Sequence, residues 1–161
     1  MAKTIVLYYS ATGTTKARAQ KVAAALQADL AEIHAAKPYT AAGLDWHDPQ
    51  SRTSVEQHGH DSRVAIKDDL PDISGYSNVV IGHPIWWAIP PRLIAATIDQ
   101  LDLNGKNLAT FATSGGSTYA NSQRNVVRTV KENGYRVQVN QGAVLNSDAA
   151  QVAWLKQLNF N

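Results

Sequence analysis

Short, continuous apolar runs alternate along this chain with longer segments in which apolar residues recur every three or four positions. Residues 4–9, 78–82 and 108–113 are runs rich in β-branched, aliphatic and aromatic residues. Such runs are typical of strands that are buried on both faces of a parallel sheet. After the first run, four-residue spacing predicts an amphipathic helix whose buried stripe is Val22, Leu26 and Leu30.

Weaker patterns occupy the middle of the chain. A partly alternating run over residues 31–35 predicts an edge strand, and residues 61–70 predict a short helix that Pro71 stops. Pro90 and Pro91 suit the first turn of the next helix, because their missing N–H groups would be unpaired there anyway. The predicted inward stripe of that helix is Ile94, Ile98 and Leu101.

The last part of the chain predicts a helix, one or two strands and a closing helix. Gly134 is placed to end the first of these helices. Residues 135–139 alternate and residues 142–145 are mostly apolar, so together they form the last strand or two. Asp148, with Gln151 three residues later, resembles a capping box for the closing helix. The residues predicted to face the core from the two helices are Val126, Val127, Val130, Val152, Leu155 and Leu158.

Hydroxyl groups and a glycine are concentrated where the first strand ends and the first helix begins. Residues 10–15, which we name the hydroxyl loop, have the sequence Ser-Ala-Thr-Gly-Thr-Thr. The first N–H groups of a helix have no internal partner and carry partial positive charge, and Gly13 lets a bound group approach the backbone. Ser and Thr often cap helices, but one hydroxyl would suffice for a cap. The loop therefore predicts a neutral cradle for a phosphate.

The hydroxyl loop differs from two well-known phosphate-binding sequences. The chain contains neither Gly-x-x-x-x-Gly-Lys-Ser/Thr nor Gly-x-Gly-x-x-Gly, so a nucleoside-triphosphate P-loop and a dinucleotide fingerprint are excluded. The pattern Ser-x-Thr-Gly-x-Thr resembles the FMN-phosphate loop of flavodoxins, which binds the ribityl phosphate. The resemblance implies cofactor binding by Ser10, Ala11, Thr12, Gly13, Thr14 and Thr15.

Two adjacent tryptophans lie in a proline-bounded segment after the strand at 78–82. In this tryptophan loop (residues 83–91), the two adjacent rings cannot both face the core. Large apolar groups at a loop tip usually mark a ligand or partner site. In flavodoxins the corresponding loop places an aromatic ring against the isoalloxazine. The alternative is that the rings plug the end of the sheet. The resemblance implies cofactor contacts from Pro84, Ile85, Trp86 and Trp87, with Trp86 as the stacking ring.

Residues 113–119, the glycine loop, follow the strand at 108–113 and contain paired glycines that permit close approach of a ligand. This segment resembles the second flavin loop of the family, whose backbone groups bind the pyrimidine edge of the ring. Tyr119 is predicted to cover the opposite ring face. The implied cofactor-binding residues are Thr113, Ser114, Gly115, Gly116 and Tyr119.

The resemblance runs through nearly the whole chain and implies a fold and a cofactor. With no linker or internal repeat, we expect one domain over residues 1–161. The predicted fold is α/β, a doubly wound five-stranded parallel sheet of order 2-1-3-4-5, with all three loops at one end. The implied cofactor is non-covalent FMN, and the implied function is electron transfer as in flavodoxins. Two alternatives are an FMN-dependent NAD(P)H oxidoreductase acting on a quinone or similar acceptor, and a flavin-bound regulatory or partner-binding protein.

Composition narrows the classes of function. The absence of cysteine excludes disulfides, thiolate metal sites and the cysteine phosphatases of related layout. Fifteen Lys and Arg against thirteen Asp and Glu give a net charge of +2, but the basic residues are scattered, so nucleic-acid binding is not expected. Electron-carrier flavodoxins are usually acidic, so their usual docking to basic partners is not expected either.

The chain also lacks features that would direct it to a membrane. No apolar stretch approaches the roughly 20 residues of a membrane-spanning helix, and no signal-peptide pattern is present. We therefore expect a cytoplasmic monomer or homodimer. Its expected partner is a redox protein, or NAD(P)H together with a small acceptor.

Residues 37–60 are polar and rich in turn-forming residues, which predicts a long loop with room for one helical turn. Loops of this length are usually lids or binding loops. Tyr39 and Trp46 either cover a ligand or pack on the sheet edge. His47, His58 and His60 do not have the spacing of a known metal-ligand set, so no metal site is predicted.

Trp87 occupies the place where many flavodoxins have glycine. In those proteins the flexible peptide turns its carbonyl toward flavin N5–H, and acidic residues that follow lower the second reduction potential. Positive φ at a bulky residue costs roughly 1–2 kcal/mol, and Ala88 and Ile89 supply no acid. We therefore expect little one-electron-reduced flavin and behaviour close to a two-electron couple.

Overall fold

The computed structural model describes residues 3–59, 61–67 and 70–160. These residues contain six strands and five helices. The strands are β1 (Thr4–Tyr8), β2 (Asp29–Glu32), β3 (Asn78–Pro84), β4 (Asn107–Thr113), β5 (Gln138–Val139) and β6 (Ala143–Val144). The helices are α1 (Thr14–Leu26), α2 (Arg52–His58), α3 (Arg92–Gln100), α4 (Ala120–Asn133) and α5 (Asp148–Gln157). No helix in these ranges is long and apolar enough to cross a membrane.

The sheet is parallel, with the strand order β2-β1-β3-β4-β5, and β6 also pairs with β4. Leu7 pairs with Ile81, and Ile81 pairs with Thr110, so β1, β3 and β4 form its centre. The predicted doubly wound α/β sheet of order 2-1-3-4-5 is confirmed, with two short strands at the fifth position. Gly142 lies between them, and a Cβ there would come within 2.6 Å of the Thr110 carbonyl oxygen. The chain approaches β4 too closely at this point for a side chain.

Two helical layers cover the two faces of the sheet. Because successive side chains of a strand point to opposite faces, Leu7 and Ile81 face one layer while Val6 and Val80 face the other. The first face packs against the buried stripe of α3 and against Val126 and Val130 of α4, as predicted. The second face packs against α1 and Trp154 of α5. Burial on both faces explains why the central strands are continuous apolar runs.

The boundary between α1 and β2 differs from the prediction. The helix ends at Leu26, where Gln27 adopts a left-handed conformation with φ 52°. Leu30, predicted on the buried helical stripe, therefore lies in β2 and is 38% exposed. The predicted strand at 31–35 is wrong in its bounds, because the pairing with β1 begins at Asp29 and ends at Glu32.

The predicted helix at 61–70 is also wrong within the described residues. Residues 61–67 contain no helix, and Ile66 forms an isolated antiparallel bridge with Ala35. Asp68 and Asp69 lie outside the described residues. The long segment at 37–59 contains the helix α2, which is seven residues long rather than a single turn.

The closing helix begins one residue earlier than predicted. Ser147 is its N-cap, and the Ser147 side chain accepts a hydrogen bond from the N–H of Ala150. Asp148 instead pairs with Arg18 and Lys21 of α1, each at 3.0 Å. The buried residues of α5 are Gln151 and Trp154, and Leu155 and Leu158 pack partly buried against the core as predicted. The predictions for Val152 and Val127 are wrong, because these side chains are 52% and 42% exposed.

Candidate cofactor site

The hydroxyl, tryptophan and glycine loops meet at the carboxyl ends of β1, β3 and β4, as the parallel sheet requires. They enclose an inner cleft of about 430 Å³. Eleven residues line it: Ala11, Thr12, Thr14, Thr15, Pro84, Ile85, Trp86, Thr113, Ser114, Gly115 and Asn146. The structure therefore brings together residues from all three predicted segments.

The N-terminus of α1 opens into this site without a cap. Gly13 is the N-cap residue, with φ 95°, and no side chain caps the helix. The Ser10 hydroxyl accepts a hydrogen bond from the Gly13 N–H at 3.0 Å and so shapes the turn. The hydroxyls of Thr12 and Thr14 are exposed and lie 3.5 Å apart. Because the first turn of α1 contains no acidic residue, its N–H groups and these hydroxyls suit an anion.

Thr15 has a different position from the other threonines of the hydroxyl loop. Its side chain is 2% exposed, and its Oγ1 lies 2.8 Å from Oγ1 of Thr113. This hydrogen bond joins the start of α1 to the end of β4. Thr15 therefore holds the hydroxyl loop and the glycine loop together as well as lining the inner cleft.

Asn146 is a site residue that the sequence analysis missed. Its side chain accepts a hydrogen bond from the Ser114 N–H at 3.2 Å and donates to the Ser114 carbonyl. The Ser114 hydroxyl in turn accepts from the Ser117 N–H at 3.0 Å. These bonds fix the backbone of the glycine loop. A polar residue just after the last strand was a signal for this site, since parallel strands end at the same edge.

The tryptophan loop contains a tight turn with an unusual backbone. The N–H of Trp86 donates to the carbonyl of Ile89 at 2.9 Å, and the N–H of Ile89 donates back at 3.3 Å. Both residues between them have positive φ, 52° at Trp87 and 68° at Ala88. This is the pattern of a type I′ turn, which usually requires Gly, Asn or Asp. Positive φ was expected to be unfavourable at Trp87, yet the chain adopts it there.

Gln57 of α2 holds this turn in place. Its side-chain amide donates to the carbonyls of Trp86 at 2.9 Å and Pro90 at 3.1 Å, and its Oε1 accepts from the Arg92 N–H at 3.0 Å. The Arg92 guanidinium donates to the Gln57 carbonyl at 2.7 Å, and burial lowers the pKa of Arg92. Since Gln57 is 4% exposed, these bonds are shielded from water. No local sequence pattern indicates these contacts, because they join residues 29 or more positions apart.

An outer cleft of about 680 Å³ continues from the inner one and shares Ala11, Thr12, Ile85 and Trp86 with it. Its other lining residues are Leu44, Trp46, Thr53, Trp87, Gly116 and Ser117. The Trp86 ring also packs edge-on against Tyr39 at 5.2 Å and Tyr9 at 6.0 Å. Trp86 therefore both closes the end of the sheet and lines the site. Trp46 is 66% exposed at the mouth of the outer cleft.

Tyr119 lies elsewhere than predicted. It lines neither cleft and is 6% exposed, so it is not placed to cover a ring face. Its hydroxyl lies between Nε2 of His83, at 2.8 Å, and the Thr110 hydroxyl. Gly142 makes room for the Tyr119 ring, because a Cβ there would overlap it. Tyr119 therefore turns inward because Gly142, 23 positions later in the sequence, leaves space for its ring.

His83 is completely buried beneath the tryptophan loop. Desolvation lowers its pKa from 6.5 to about 4, so the imidazole is neutral at pH 7. Nδ1 lies 2.7 Å from the Pro84 carbonyl and therefore carries the proton. Nε2 is then the acceptor that faces Tyr119. His83 thus joins the end of β3 to the residue that precedes α4.

The other histidines predicted not to bind metal have individual contacts. His47 stacks on Trp46 with centroids 3.7 Å apart, and Nδ1 of His58 lies 2.6 Å from the Ser54 carbonyl. His60 lies outside the described residues. In the part of the chain that the structure describes, no group of three or more acidic, histidine or cysteine residues is arranged to hold a metal ion.

Comparisons with known proteins agree with this geometry. The family model for flavodoxin matches residues 3–158. A candidate flavoprotein from Bacteroides eggerthii DSM 20697 is 42% identical, with a TM-score of 0.88 and 97% of each chain covered. A candidate flavoprotein from Bacteroides uniformis ATCC 8492 is 39% identical, with a TM-score of 0.87 over 96% of this chain and 98% of that one.

A more distant structure, of a flavoprotein in complex with FMN from Lactobacillus acidophilus NCFM, is 24% identical, with a TM-score of 0.69 over 96% of this chain and 99% of that one. A comparison with curated protein sequences found no significant match. The family match extends over nearly the whole chain and agrees with the strand order and the three loops. This chain belongs to the flavodoxin family.

Proposed function

We propose that this protein binds FMN non-covalently and transfers electrons through it. The observation that carries the proposal is the uncapped N-terminus of α1, surrounded by exposed hydroxyls and open to a tryptophan-lined cleft. Membership of the flavodoxin family supports it, as does the FMN complex of the Lactobacillus flavoprotein.

The donor set fits a phosphate on a flavin chain. The N–H groups at the start of α1, with the hydroxyls of Thr12 and Thr14, provide neutral donors for a dianion. Ile85 and Trp86 would contact the apolar ring, and the backbone at Ser114 to Gly116 would bind its polar edge. When bound, FMN supplies the redox chemistry.

The cleft residues themselves supply no acid–base chemistry. None of the side chains that line the inner and outer clefts is acidic, basic or a histidine. Their work is to bind the cofactor, orient its ring and exclude water from one side of it. A site whose side chains only bind and orient the cofactor suits electron transfer by the cofactor rather than catalysis by a side chain.

The test is a spectrum of the purified protein followed by titration of the flavin-free protein with FMN and riboflavin. We expect a flavin spectrum, and much tighter binding of FMN than of riboflavin because only FMN has the phosphate. Equal affinity for the two flavins would exclude the phosphate cradle. No binding of either would exclude the function.

A second candidate is an FMN-dependent NAD(P)H oxidoreductase that reduces a quinone or similar small acceptor. The observation that favours it is the outer cleft, whose walls of Trp46 and Trp87 leave space for a planar substrate beside the cofactor. Such an enzyme oxidises NAD(P)H without a second protein, whereas a carrier requires a separate reductase. A flavin-bound regulatory protein would be inactive in both assays.

A further inference from the structure

A separate cavity of about 230 Å³ lies on the β2 side of the hydroxyl loop. It is formed where Ser10 and Ala11 pass the segment that follows β2. Its apolar walls are Ala11, Ala35, Pro38, Leu44 and the Tyr39 ring, and its polar rim contains Glu32, His34 and Lys67. Tyr9 lies against it from the sheet side. Of its lining residues, only Ser10 and Ala11 of the hydroxyl loop are also predicted cofactor contacts, and the proposed function does not use the cavity itself.

The walls of the cavity are held by their own hydrogen bonds. The Tyr39 hydroxyl donates to Glu56 at 2.6 Å, and the Arg52 guanidinium lies 3.9 Å from the centre of the Tyr39 ring. Glu32 accepts from the Tyr8 hydroxyl at 2.7 Å and pairs with His34 Nε2 at 2.7 Å.

The segment that follows β2 is also fixed. The Ala36 N–H donates to the Ala65 carbonyl at 2.8 Å, and the Lys67 N–H donates to the His34 carbonyl at 2.9 Å. These bonds join the two stretches of chain that form the rim. A ligand would therefore enter a cavity that is already formed.

Tyr9 is the exception among these satisfied groups. Its side chain is 7% exposed, yet its hydroxyl has no hydrogen-bond partner among the described residues. No fully enclosed polar side-chain atom in those residues lacks a partner, so the Tyr9 hydroxyl must reach open space, and the cavity is the space that Tyr9 lines. Burial raises its pKa to about 12, which keeps the hydroxyl protonated as a donor.

The charges at the rim favour a neutral ligand. Glu32 would repel an anion and Lys67 would repel a cation, and both belong to the cavity rim. Tyr9 and Tyr39 supply aromatic surface, while Tyr9 supplies a donor that needs an acceptor. The volume is below the roughly 300 Å³ of the smallest pockets for drug-sized ligands and above the roughly 150 Å³ of a cavity that binds benzene, so a single-ring compound fits. We propose that this cavity binds a small, neutral, single-ring aromatic compound whose carbonyl or hydroxyl oxygen accepts from Tyr9.

This site adjoins the cofactor cleft but is separate from it. The cavity and the outer cleft share only Ala11 and Leu44 among their lining residues. Tyr9 and Tyr39 stand between the cavity and Trp86, whose ring contacts both. A ligand here would contact Tyr9 and Tyr39, and would meet the proposed cofactor site only at Ser10, Ala11 and Leu44.

The experiment is an NMR titration of the full chain with three ring compounds of similar size: benzamide, benzoate and benzylamine. We expect benzamide, the neutral carbonyl compound, to bind most tightly and to shift the resonances of Ala35, Tyr39 and Lys67. The Tyr9→Phe variant keeps the ring and removes only the hydroxyl, and benzamide should bind it about fivefold to tenfold more weakly. Tyr135→Phe is the matched control, because the Tyr135 hydroxyl bonds the Ile98 carbonyl at 2.9 Å, away from the cavity.

Each other result overturns the proposal. Equal benzamide affinity in the Tyr9→Phe and Tyr135→Phe variants would remove Tyr9 from the site, and absence of binding at millimolar benzamide would remove the site. Preference for benzoate or benzylamine would contradict the charge argument. Complete displacement of benzamide by FMN would place the compound in the cofactor cleft, whereas failure of FMN to bind leaves the benzamide result unaffected.

Discussion

The side-chain amide of Gln57 donates a hydrogen bond to the carbonyl oxygen of Trp86 at 2.9 Å, and Gln57 is buried, with 4% of its surface exposed. Gln57 belongs to α2, in the long segment predicted from sequence as a loop, whereas Trp86 begins the turn after β3. The same amide bonds Pro90 at the far side of that turn. The position of the tryptophan loop is therefore set by a helix that lies outside the sheet.

Replacement of Gln57 with Leu tests this arrangement. The substitution keeps the volume but leaves the Pro90 carbonyl without its donor and the Arg92 N–H without its acceptor, at a cost of about 1–3 kcal/mol for each unsatisfied buried group. The Trp86 carbonyl keeps only its 3.3 Å bond from the Ile89 N–H. We expect lower stability in urea and about tenfold weaker FMN binding, because the turn loses its support. Gln123→Leu is the matched control, since Gln123 bonds Gly142 and Asn140 near β6 instead. Equal FMN affinity in the Gln57 variant and the parent would show that the turn needs no support from α2.

The two exposed threonines of the hydroxyl loop provide the sharpest test of the phosphate cradle. Replacing Thr12 and Thr14 together with Val removes two hydroxyl donors to a dianion, each worth roughly 1.5–3 kcal/mol. We expect FMN binding to weaken at least about a hundredfold by flavin-fluorescence titration, with the far-UV circular dichroism unchanged. Riboflavin is the control ligand, because it lacks the phosphate and its affinity should not change. Parallel losses for both flavins would contradict the assignment.

Thr15→Val is a different experiment. Thr15 is buried and paired with Thr113, so its loss breaks the bond between the hydroxyl loop and the glycine loop. We expect a loss of stability of about 1–3 kcal/mol in addition to weaker FMN binding. A change of FMN affinity with no change in the urea midpoint would show that Thr15 serves the ligand alone.

Removal of the rings in the tryptophan loop tests the flavin contact. Trp86→Ala should weaken FMN binding and restore flavin fluorescence, because a stacked indole quenches it. Trp87→Ala should do the same to a smaller degree, since Trp87 lines only the outer cleft. Val55→Ala, on the solvent side of α2, is the control. If both tryptophan variants bind FMN tightly and stay dark, these rings serve the core or a partner surface.

The buried His83 predicts a specific pH dependence of stability. Its folded pKa is about 4 against 6.5 ordinarily, so the unfolded chain takes up the proton first as the pH falls. The contribution of neutral His83 to the free energy of unfolding is therefore complete above pH 6.5. It is lost as the pH falls from 6.5 to 4, by about 3 kcal/mol in total. Urea midpoints measured across this range should show a shallower slope in His83→Gln than in the parent. Identical slopes would mean that His83 titrates normally in the folded protein.

Sequence patterns predicted the secondary structure most reliably where a buried segment fitted only one type of element. β1, β3 and β4 are buried on both faces, so their apolar runs had no competing helical period. The three loops then followed from the rule that parallel strands end together. Leu30, in contrast, fitted the four-residue spacing of the helical stripe, and only the end of α1 at Leu26 shows that it belongs to β2.

The remaining errors depend on contacts between distant residues. Tyr119 turned inward because Gly142 leaves space for its ring and because His83 and Thr110 bond its hydroxyl. The core face of α5 is set by Trp154, whose indole N–H donates to the Gln141 carbonyl at 2.9 Å. Neither contact leaves a periodic signal in the local sequence.

The backbone of the tryptophan loop predicts which redox states the bound cofactor will favour. Three of the four carbonyls in the turn from Trp86 to Ile89 are occupied: Trp86 by Gln57 and Ile89, Ala88 by the Ser122 hydroxyl at 3.2 Å, and Ile89 by Trp86. Only the Trp87 carbonyl has no hydrogen bond among the described residues. Rotating the peptide after Trp87 would convert the type I′ turn to type II′, whose first central position is essentially restricted to Gly.

The turn should therefore present the same groups to oxidised and to reduced FMN. With no peptide rotation to favour one-electron-reduced flavin, and no carboxylate lining either cleft to disfavour full reduction, the two potentials should lie close together. We expect little long-wavelength absorbance of one-electron-reduced flavin during an anaerobic reductive titration of the FMN-loaded protein. Trp87→Gly frees the rotation, while Trp87→Ala removes the same indole and keeps the Cβ. More one-electron-reduced flavin in Trp87→Gly than in Trp87→Ala would follow from backbone freedom alone. A nearly stoichiometric yield in the parent would contradict the argument and favour a single-electron carrier, whereas a low yield suits hydride transfer from NAD(P)H.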